Sequence, residues 1–308
     1  MTDILLNPIA APTAAPLRGA FRQRGLLLIL LLVFAAQAKA GLQLGLAAGA
    51  GYDSNVAPDV TDINAGLGDS YHALEASLGW RTAGRRGVQF ETSYWLKEQR
   101  WQVYSEYDNR LQTGLLRFGY QGDVLATDVA LIAATADVDG QSYMQLERIS
   151  PALGFIPSES LYVRTQFDFM RKTYEQNSAR DSERSAARLQ LYWFFRRSGL
   201  SLSALIQGVD EQANAQVYSY QAGIGRLSLR HRSRWFGLSV VNHLRARLEQ
   251  RQYDDVTEQR QRLEISSRWQ LSQRWQWSVS LQRDDRQSDF AAASYDQNRL
   301  ESTIRWSF

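Results

Sequence analysis

The sequence predicts an all-β chain. It reads as an up-and-down antiparallel barrel of about fourteen strands, give or take two, whose apolar outer face meets lipid. Three observations carry this. Stretches of strict two-residue alternation recur along the chain, connections are alternately long and short, and aromatic residues collect near the strand ends. Alternation of apolar and polar residues is the mark of a strand with one wet and one oily face. A barrel wall in a membrane has that pattern over segments of about ten residues.

The alternation is clearest in five places. Val88, Phe90, Thr92, Tyr94 and Leu96 alternate with Gln89, Glu91, Ser93, Trp95 and Lys97. The same rhythm runs through Leu161 to Met170, Arg188 to Arg196, Arg262 to Leu271 and Trp275 to Gln282. The fourteen expected strands lie at 42–54, 70–81, 87–97, 108–120, 124–135, 143–155, 160–172, 186–196, 199–209, 217–229, 235–249, 260–271, 275–284 and 296–308. The fifth, sixth, ninth and tenth alternate poorly. Proline is scarce beyond the first forty residues, which suits long ladders, because proline donates no backbone hydrogen bond.

Connections after odd strands are mostly long and polar, as in VAPDVTDINAGLGDS, EQRWQVYSEYD, YEQNSARDSERS, RQYDDVTEQ and QSDFAAASYD. Those after even strands are mostly short: QGD, RSG, RHRSR and SQR, with RTAGRRG the longest. Long loops on one side and tight turns on the other are the asymmetry of membrane barrels, and an even strand number puts both chain ends on the turn side. The aromatics agree. Trp80, Phe118, Tyr120, Trp193, Phe195, Phe236, Trp269, Trp275, Trp306 and Phe308 fall toward the turns, and Tyr52, Tyr71 and Tyr94 toward the loops. Two such girdles are expected at the two membrane interfaces.

The first forty residues read as a leader. Arg18, Arg22 and Arg24 precede the apolar run from Gly25 to Ala36, and small residues at Ala38 and Ala40 follow. This is a secretory signal peptide with a cut expected before Gly41, leaving 41–308 as one barrel domain. The run is short of the roughly 20 apolar residues of a spanning helix. The leader also holds four basic residues (Arg18, Arg22, Arg24 and Lys39) against the acidic Asp3. The net charge of +3 is therefore a leader effect and the remainder is formally neutral. Nothing in that balance points to nucleic acid. There is no cysteine, so no disulfide framework, thiolate metal site or lipidated thiol is expected. No cofactor is expected either.

Parity assigns an inner face. Its basic set includes Lys97, Arg117, Arg164, Lys172, Arg188, Arg196, Arg245, Arg247, Arg262, Arg268, Arg299 and Arg305, and its acidic set Glu75, Glu91, Asp168, Glu249, Glu264 and Glu301. An excess of lumenal cations favours anions. The competing reading is a wall of locally neutralised pairs such as Arg262 with Glu264. A catalytic reading finds three histidines. His231 is expected in a turn, and His243 is expected inside beside Arg245, without an evident serine and acid partner. Glycines in GLAAGAGYD and GIGRL are expected to relieve crowding in the wall.

The final strand, with Leu300, Ile304, Trp306 and Phe308 on one face, must pair with the first, because lipid offers a free sheet edge no hydrogen bonds. It resembles the C-terminal signature of bacterial outer-membrane proteins. That resemblance implies recognition of Trp306 and Phe308 by the barrel-assembly machinery, and a home in outer-membrane lipid. The segment GYDSNV, Gly51 to Val56, resembles the start of the barrel in surface lipoprotein assembly modifiers and related TPR-linked barrels. Those carry a periplasmic domain of helical repeats of about 34 residues, for which the leader here leaves no room. The resemblance implies a stand-alone barrel with a periplasmic or surface protein partner. The expected functions are thus a porin-like channel for small solutes, with anions as one candidate class, then a translocon-like or scaffold barrel, then a barrel enzyme.

Overall fold

The computed structural model describes residues 40–308, except 57–65, 83–85, 196–197 and 290–292. The expected leader, Arg196 and the middle of the first loop lie outside the described residues. Fourteen strands are present: β1 (Ala40–Asp53), β2 (Asp69–Thr82), β3 (Gly87–Trp101), β4 (Asn109–Gln121), β5 (Leu125–Val138), β6 (Gln141–Ser158), β7 (Leu161–Tyr174), β8 (Ser182–Phe195), β9 (Leu200–Ala213), β10 (Tyr220–Trp235), β11 (Leu238–Gln252), β12 (Thr257–Gln270), β13 (Trp275–Ser288) and β14 (Tyr295–Ser307). Each pairs with its sequence neighbours, and β1 joins β14 to close the ring. The closing register runs from Gly45 opposite Ser307 to Asp53 opposite Arg299, all antiparallel.

Side-chain reach identifies the inner face. Lys172 of β7 reaches Glu211 of β9 across β8, at 2.7 Å. Arg164 of β7 holds Asp128 of β5 across β6 with two bonds of 2.7 and 2.9 Å. Strands two apart are separated by roughly 9.6 Å, so such pairs form only where side chains converge, on the concave side. The opposite parity carries large exposed apolar residues, among them Leu46, Val88, Phe167, Leu227, Leu248 and Ile304.

This outer apolar band has a consistent height. It covers 88–96 on β3, 161–169 on β7, 238–248 on β11 and 300–308 at the chain's end, nine to eleven residues each. That matches the length of a tilted membrane strand, about 9–11 residues. The next outward residues toward the loops are Glu98, Arg171, Gln250 and Asn298, all polar. The band therefore sits at the turn end, and the strands continue beyond it.

That extension corrects several expectations. Much of the expected loop sequence is strand: β3 runs to Trp101, β7 to Tyr174, and β8 begins at Ser182. Beyond the lipid both faces of a strand are polar, so alternation of hydrophobicity stops while the ladder does not. The loop between β5 and β6 is only Asp139–Gly140, both at positive φ of 50° and 70°. That is the mirror-image turn whose twist suits a two-residue hairpin. The segment RHRSR belongs to β10, and the turn after it is Phe236–Gly237, again at positive φ. His231 accordingly lies within a strand, opposite Leu200 and Asn242.

Glycines divide. A Cβ on Gly51 would lie 2.5 Å from the Tyr71 ring and 2.6 Å from the Leu300 carbonyl oxygen, so crowding does require glycine there. Gly223 and Gly225 face open space, and the crowding expected for GIGRL is absent.

At the loop end, Asp69 ties two connections together above the apolar band. Its carboxylate accepts hydrogen bonds from the backbone N–H groups of Val103 at 2.8 Å and Tyr104 at 3.0 Å. Burial works against its charge, but the N–H groups of Val103, Tyr104, Ser70 and Gln102 outweigh burial and hold the carboxyl below its usual range. A depressed acid gives stability that is complete above its unfolded pKa and lost as pH falls through the folded one. Amide exchange at Val103 and Tyr104, taken relative to the intrinsic rate at each pH, should therefore stay fully protected at neutral pH and lose protection only in acid, below the usual aspartate range. Asp69→Ala should remove that protection at every pH.

Candidate functional site: the lumen wall

The inner wall is a lattice of charges set by register. Lys97, Arg117, Arg164, Lys172, Arg188, Arg245, Arg247, Arg262, Arg268, Arg299 and Arg305 all stand on the inner face, as do Glu75, Glu91, Asp168, Glu249, Glu264 and Glu301. Parity missed other members, notably Asp128, Glu211, Glu258 and Asp284 among acids and Arg226, Arg230, Arg251 and Arg260 among bases. They lie on the weakly alternating strands or in the extensions beyond the band.

Most of these charges are paired. Arg188 donates to Asp168 at 2.6 Å, and Ser150 and Gln166 complete that carboxylate's shell. Glu211 accepts from Lys172 at 2.7 Å, Ser182 at 2.9 Å and Tyr220 at 2.8 Å. Glu249 bridges Arg247 and Arg251, at 2.7 and 2.8 Å. The expected pair of Arg262 with Glu264 does not form. Arg262 turns to Asp284, at 2.6 and 2.9 Å, and Glu264 accepts from Arg245 at 2.7 Å. Each takes the charge directly across the ladder instead: Asp284 is the cross-strand partner of Arg262, and Glu264 that of Arg245.

Near the seam, Arg299 donates to the Tyr71 hydroxyl at 2.9 Å, and that hydroxyl donates to Glu301 at 2.7 Å. Arg305 pairs with Glu75, and Lys97 stands within 4.0 Å of both Glu75 and Glu301. Tyr71 is thus an inner-wall residue and no part of an outer girdle. Strand parity decided this, and its neighbours on that face, Asp69 and Ala73, are buried too. Above it, the base of the first loop turns inward. Val56, fully buried, packs on Tyr71, Ala73 and Trp101. Its N–H donates to the Leu67 carbonyl at 2.7 Å, so the two described ends of that loop run side by side.

The charges that remain are positive. Among the described residues, Arg226, Arg230 and Arg268 form no ion pair and no side-chain hydrogen bond. They lie on β10 and β12, close to the paired Arg245 and Arg247. Arg226, Arg247 and Arg262 share one rung of three neighbouring strands. The facing sector is different in kind. Leu111, Leu115, Ile132, Ala134, Ala136, Met144 and Leu146 line β4 to β6 on the inner side, beside Trp95 of β3. The lumen is therefore mainly cationic on one wall and mainly apolar on the other, where Arg148 stands across from Ile132.

Among the described residues no group of three or more His, Asp or Glu could hold a metal. His243 stands on the inner face between Arg230 and Ser266 in register. No hydrogen bond joins it to a serine or a carboxylate among the described residues.

A closed antiparallel barrel with an apolar belt and a charged interior is the fold of outer-membrane β-barrel proteins. No protein-family model matches the chain, and no curated protein matches it in sequence. Solved structures do match in fold. An anion-selective porin from Comamonas acidovorans aligns over 88% of this chain and 100% of its own, with a TM-score of 0.53 and 10% identity. The outer membrane channel DcaP of Acinetobacter baumannii aligns over 89% and 98%, with a TM-score of 0.54 and 9% identity. A bacterial polysaccharide outer membrane secretin aligns over 87% and 98%, with a TM-score of 0.51 and 10% identity.

Proposed function

We propose that this chain is an outer-membrane channel of the porin type, a passive path for small solutes that prefers anions. One observation carries the preference. On an inner face where most charges are paired, the guanidinium groups left without a carboxylate include those of Arg226, Arg230 and Arg268, clustered on β10 and β12, and that of Arg148 on β6. Unpaired fixed charge in a water-filled, low-dielectric passage concentrates ions of the opposite sign. The apolar belt of nine to eleven residues on β3, β7, β11 and β14 supports placement in a bilayer, and fold likeness to outer-membrane proteins supports which one. The closing strand supports recognition by assembly machinery. Trp306 and Phe308 face outward at the turn-end rim, and the Phe308 N–H donates to the Leu44 carbonyl at 3.0 Å.

In a bilayer recording under a KCl gradient, the reversal potential should report anion preference. Replacing Arg245 and Arg247 together with Glu should move it toward cations. An unchanged reversal potential would sink the electrostatic part of the reading.

The second reading, a scaffold or translocon-like barrel, rests on GYDSNV. In that segment Asp53 and Asn55 are buried, and Gln297 of β14 donates to the Asp53 carboxylate at 2.8 Å and to the Asn55 carbonyl at 3.1 Å. Those side chains serve the barrel seam and the base of the first loop, so the channel reading stands first. Catalysis is no part of it.

A further inference from the structure

Three aromatic rings stand on the inner face at the turn end of the barrel, where water and charged side chains would be the ordinary lining. Tyr162 of β7 and Tyr192 of β8 are direct cross-strand partners, with ring centroids 5.6 Å apart and planes 30° from parallel. Phe194 follows on the same face of β8, its ring parallel to that of Tyr192 within 2°, at 6.4 Å. Tyr162 lies over Gly154 of β6, whose missing side chain leaves the ring its place. Phe194 keeps 42% of its surface exposed.

Register places small residues next to these rings and arginines beyond them. Across from Tyr192 come Ser203 of β9, Ser228 of β10 and Arg245 of β11. Across from Phe194 come Ser201, Arg230 and His243. One rung toward the loops, the same strands carry Gln190, Leu205, Arg226 and Arg247. Serine side chains rise little above a sheet, so the wall has a shallow bay. Aromatic rings stand on one bank, arginines on the other, and the floor is roughly two strand spacings, about 9.6 Å, across.

The charge of this bay is uncompensated. Arg226 and Arg230 have no carboxylate partner, and the charges acting on Arg226 are those of Arg245, Arg188 and Arg247. The Nε atoms of Arg188 and Arg247 are buried without an acceptor, although both guanidinium groups bond carboxylates elsewhere. Tyr192 lies within electrostatic range of Arg226 and Arg188.

We propose that this bay is a subsite for ring-bearing carboxylates. The flat ring lies against Tyr192 and Phe194, and the carboxylate is held by Arg226 and Arg230 across the serine floor. A ring and a charge a few ångströms apart fit both banks at once, whereas a small aliphatic anion engages only the arginines and a neutral ring only the aromatics. The inference rests on the channel reading and names its substrate class.

The test is calorimetric titration of the detergent-solubilised full chain with benzoate, acetate and benzyl alcohol. Folded protein is first verified by its heat-dependent gel mobility. Benzoate should bind about tenfold or more tighter than acetate or benzyl alcohol, the size expected of one stacking contact or one charge-assisted bond. The double variant Y192A/F194A should bring benzoate down to the level of acetate, and R226Q/R230Q down to that of benzyl alcohol. Should either variant fail to fold, S203L fills the floor, leaves both banks in place and should still abolish benzoate binding. Equal binding of the three probes, or benzoate binding indifferent to S203L, would overturn the subsite. Loss of the subsite with the anion-preferring reversal potential intact would leave the channel reading standing. A channel without anion preference would instead remove the reading on which the subsite rests.

Discussion

Replacing Asp284 with Ala is expected to destabilise the barrel by about 3–5 kcal/mol, the usual cost of removing one partner from a buried charge cluster. Asp284 is 0% exposed, and its carboxylate is the shared acceptor for two arginines. Arg260 donates to it at 2.6 and 2.8 Å, and Arg262 at 2.6 and 2.9 Å. Both guanidinium groups are themselves largely covered. Without the carboxylate, two like charges two residues apart on β12 face each other in a site with little water. The measurement is the temperature at which the compact band on a denaturing gel converts to the unfolded one. It should fall strongly in Asp284→Ala and less in Asp284→Asn, which keeps an acceptor and loses the charge. An unchanged transition would mean that water already solvates this cluster, and that the wall is softer than its hydrogen bonds imply.

The second large effect is expected at the seam. Gly51→Ala should sharply reduce the folded fraction recovered from refolding into detergent. The new Cβ would sit 2.6 Å from the Leu300 carbonyl oxygen and 2.5 Å from the Tyr71 ring. Neither can yield easily. The carbonyl belongs to the ladder that joins β1 to β14, and the Tyr71 hydroxyl is held by Glu301 and Arg299. Overpacking in a well-filled site costs about 1–3 kcal/mol, and here the strain falls on the contact that closes the ring. Gly223→Ala is the control, since a Cβ there meets nothing within 4 Å. Equal recovery of the two variants would remove the argument.

The architecture was readable because lipid imposes one rule on every strand. Val88 to Leu96 or Leu300 to Phe308 must present a mostly apolar face at alternate positions, so count, parity and order follow from the pattern. The strand ends at the loop side were not readable, for the complementary reason. At Gln99 to Trp101 or Gln250 to Gln252 the chain has left the lipid, and a paired strand there looks like a polar loop. Parity alone placed Arg245 and Glu264 on the inner face. It could not say that they would pair with each other, or that Arg262 would turn to Asp284, because that depends on the stagger between strands. The serine-floored bay needs register across four strands at once, and no single stretch of sequence contains it. The inward Val56 was invisible too, since one valine after a strand carries no periodic signal.

The strands' continuation past the apolar belt has a consequence for the mouth. Over its last few rungs the wall is surrounded by water on both sides, yet its backbone groups remain paired with one another. Its stiffness there comes from the ladder and owes nothing to the surrounding hydrocarbon. The rim should keep its outline when a micelle replaces the bilayer.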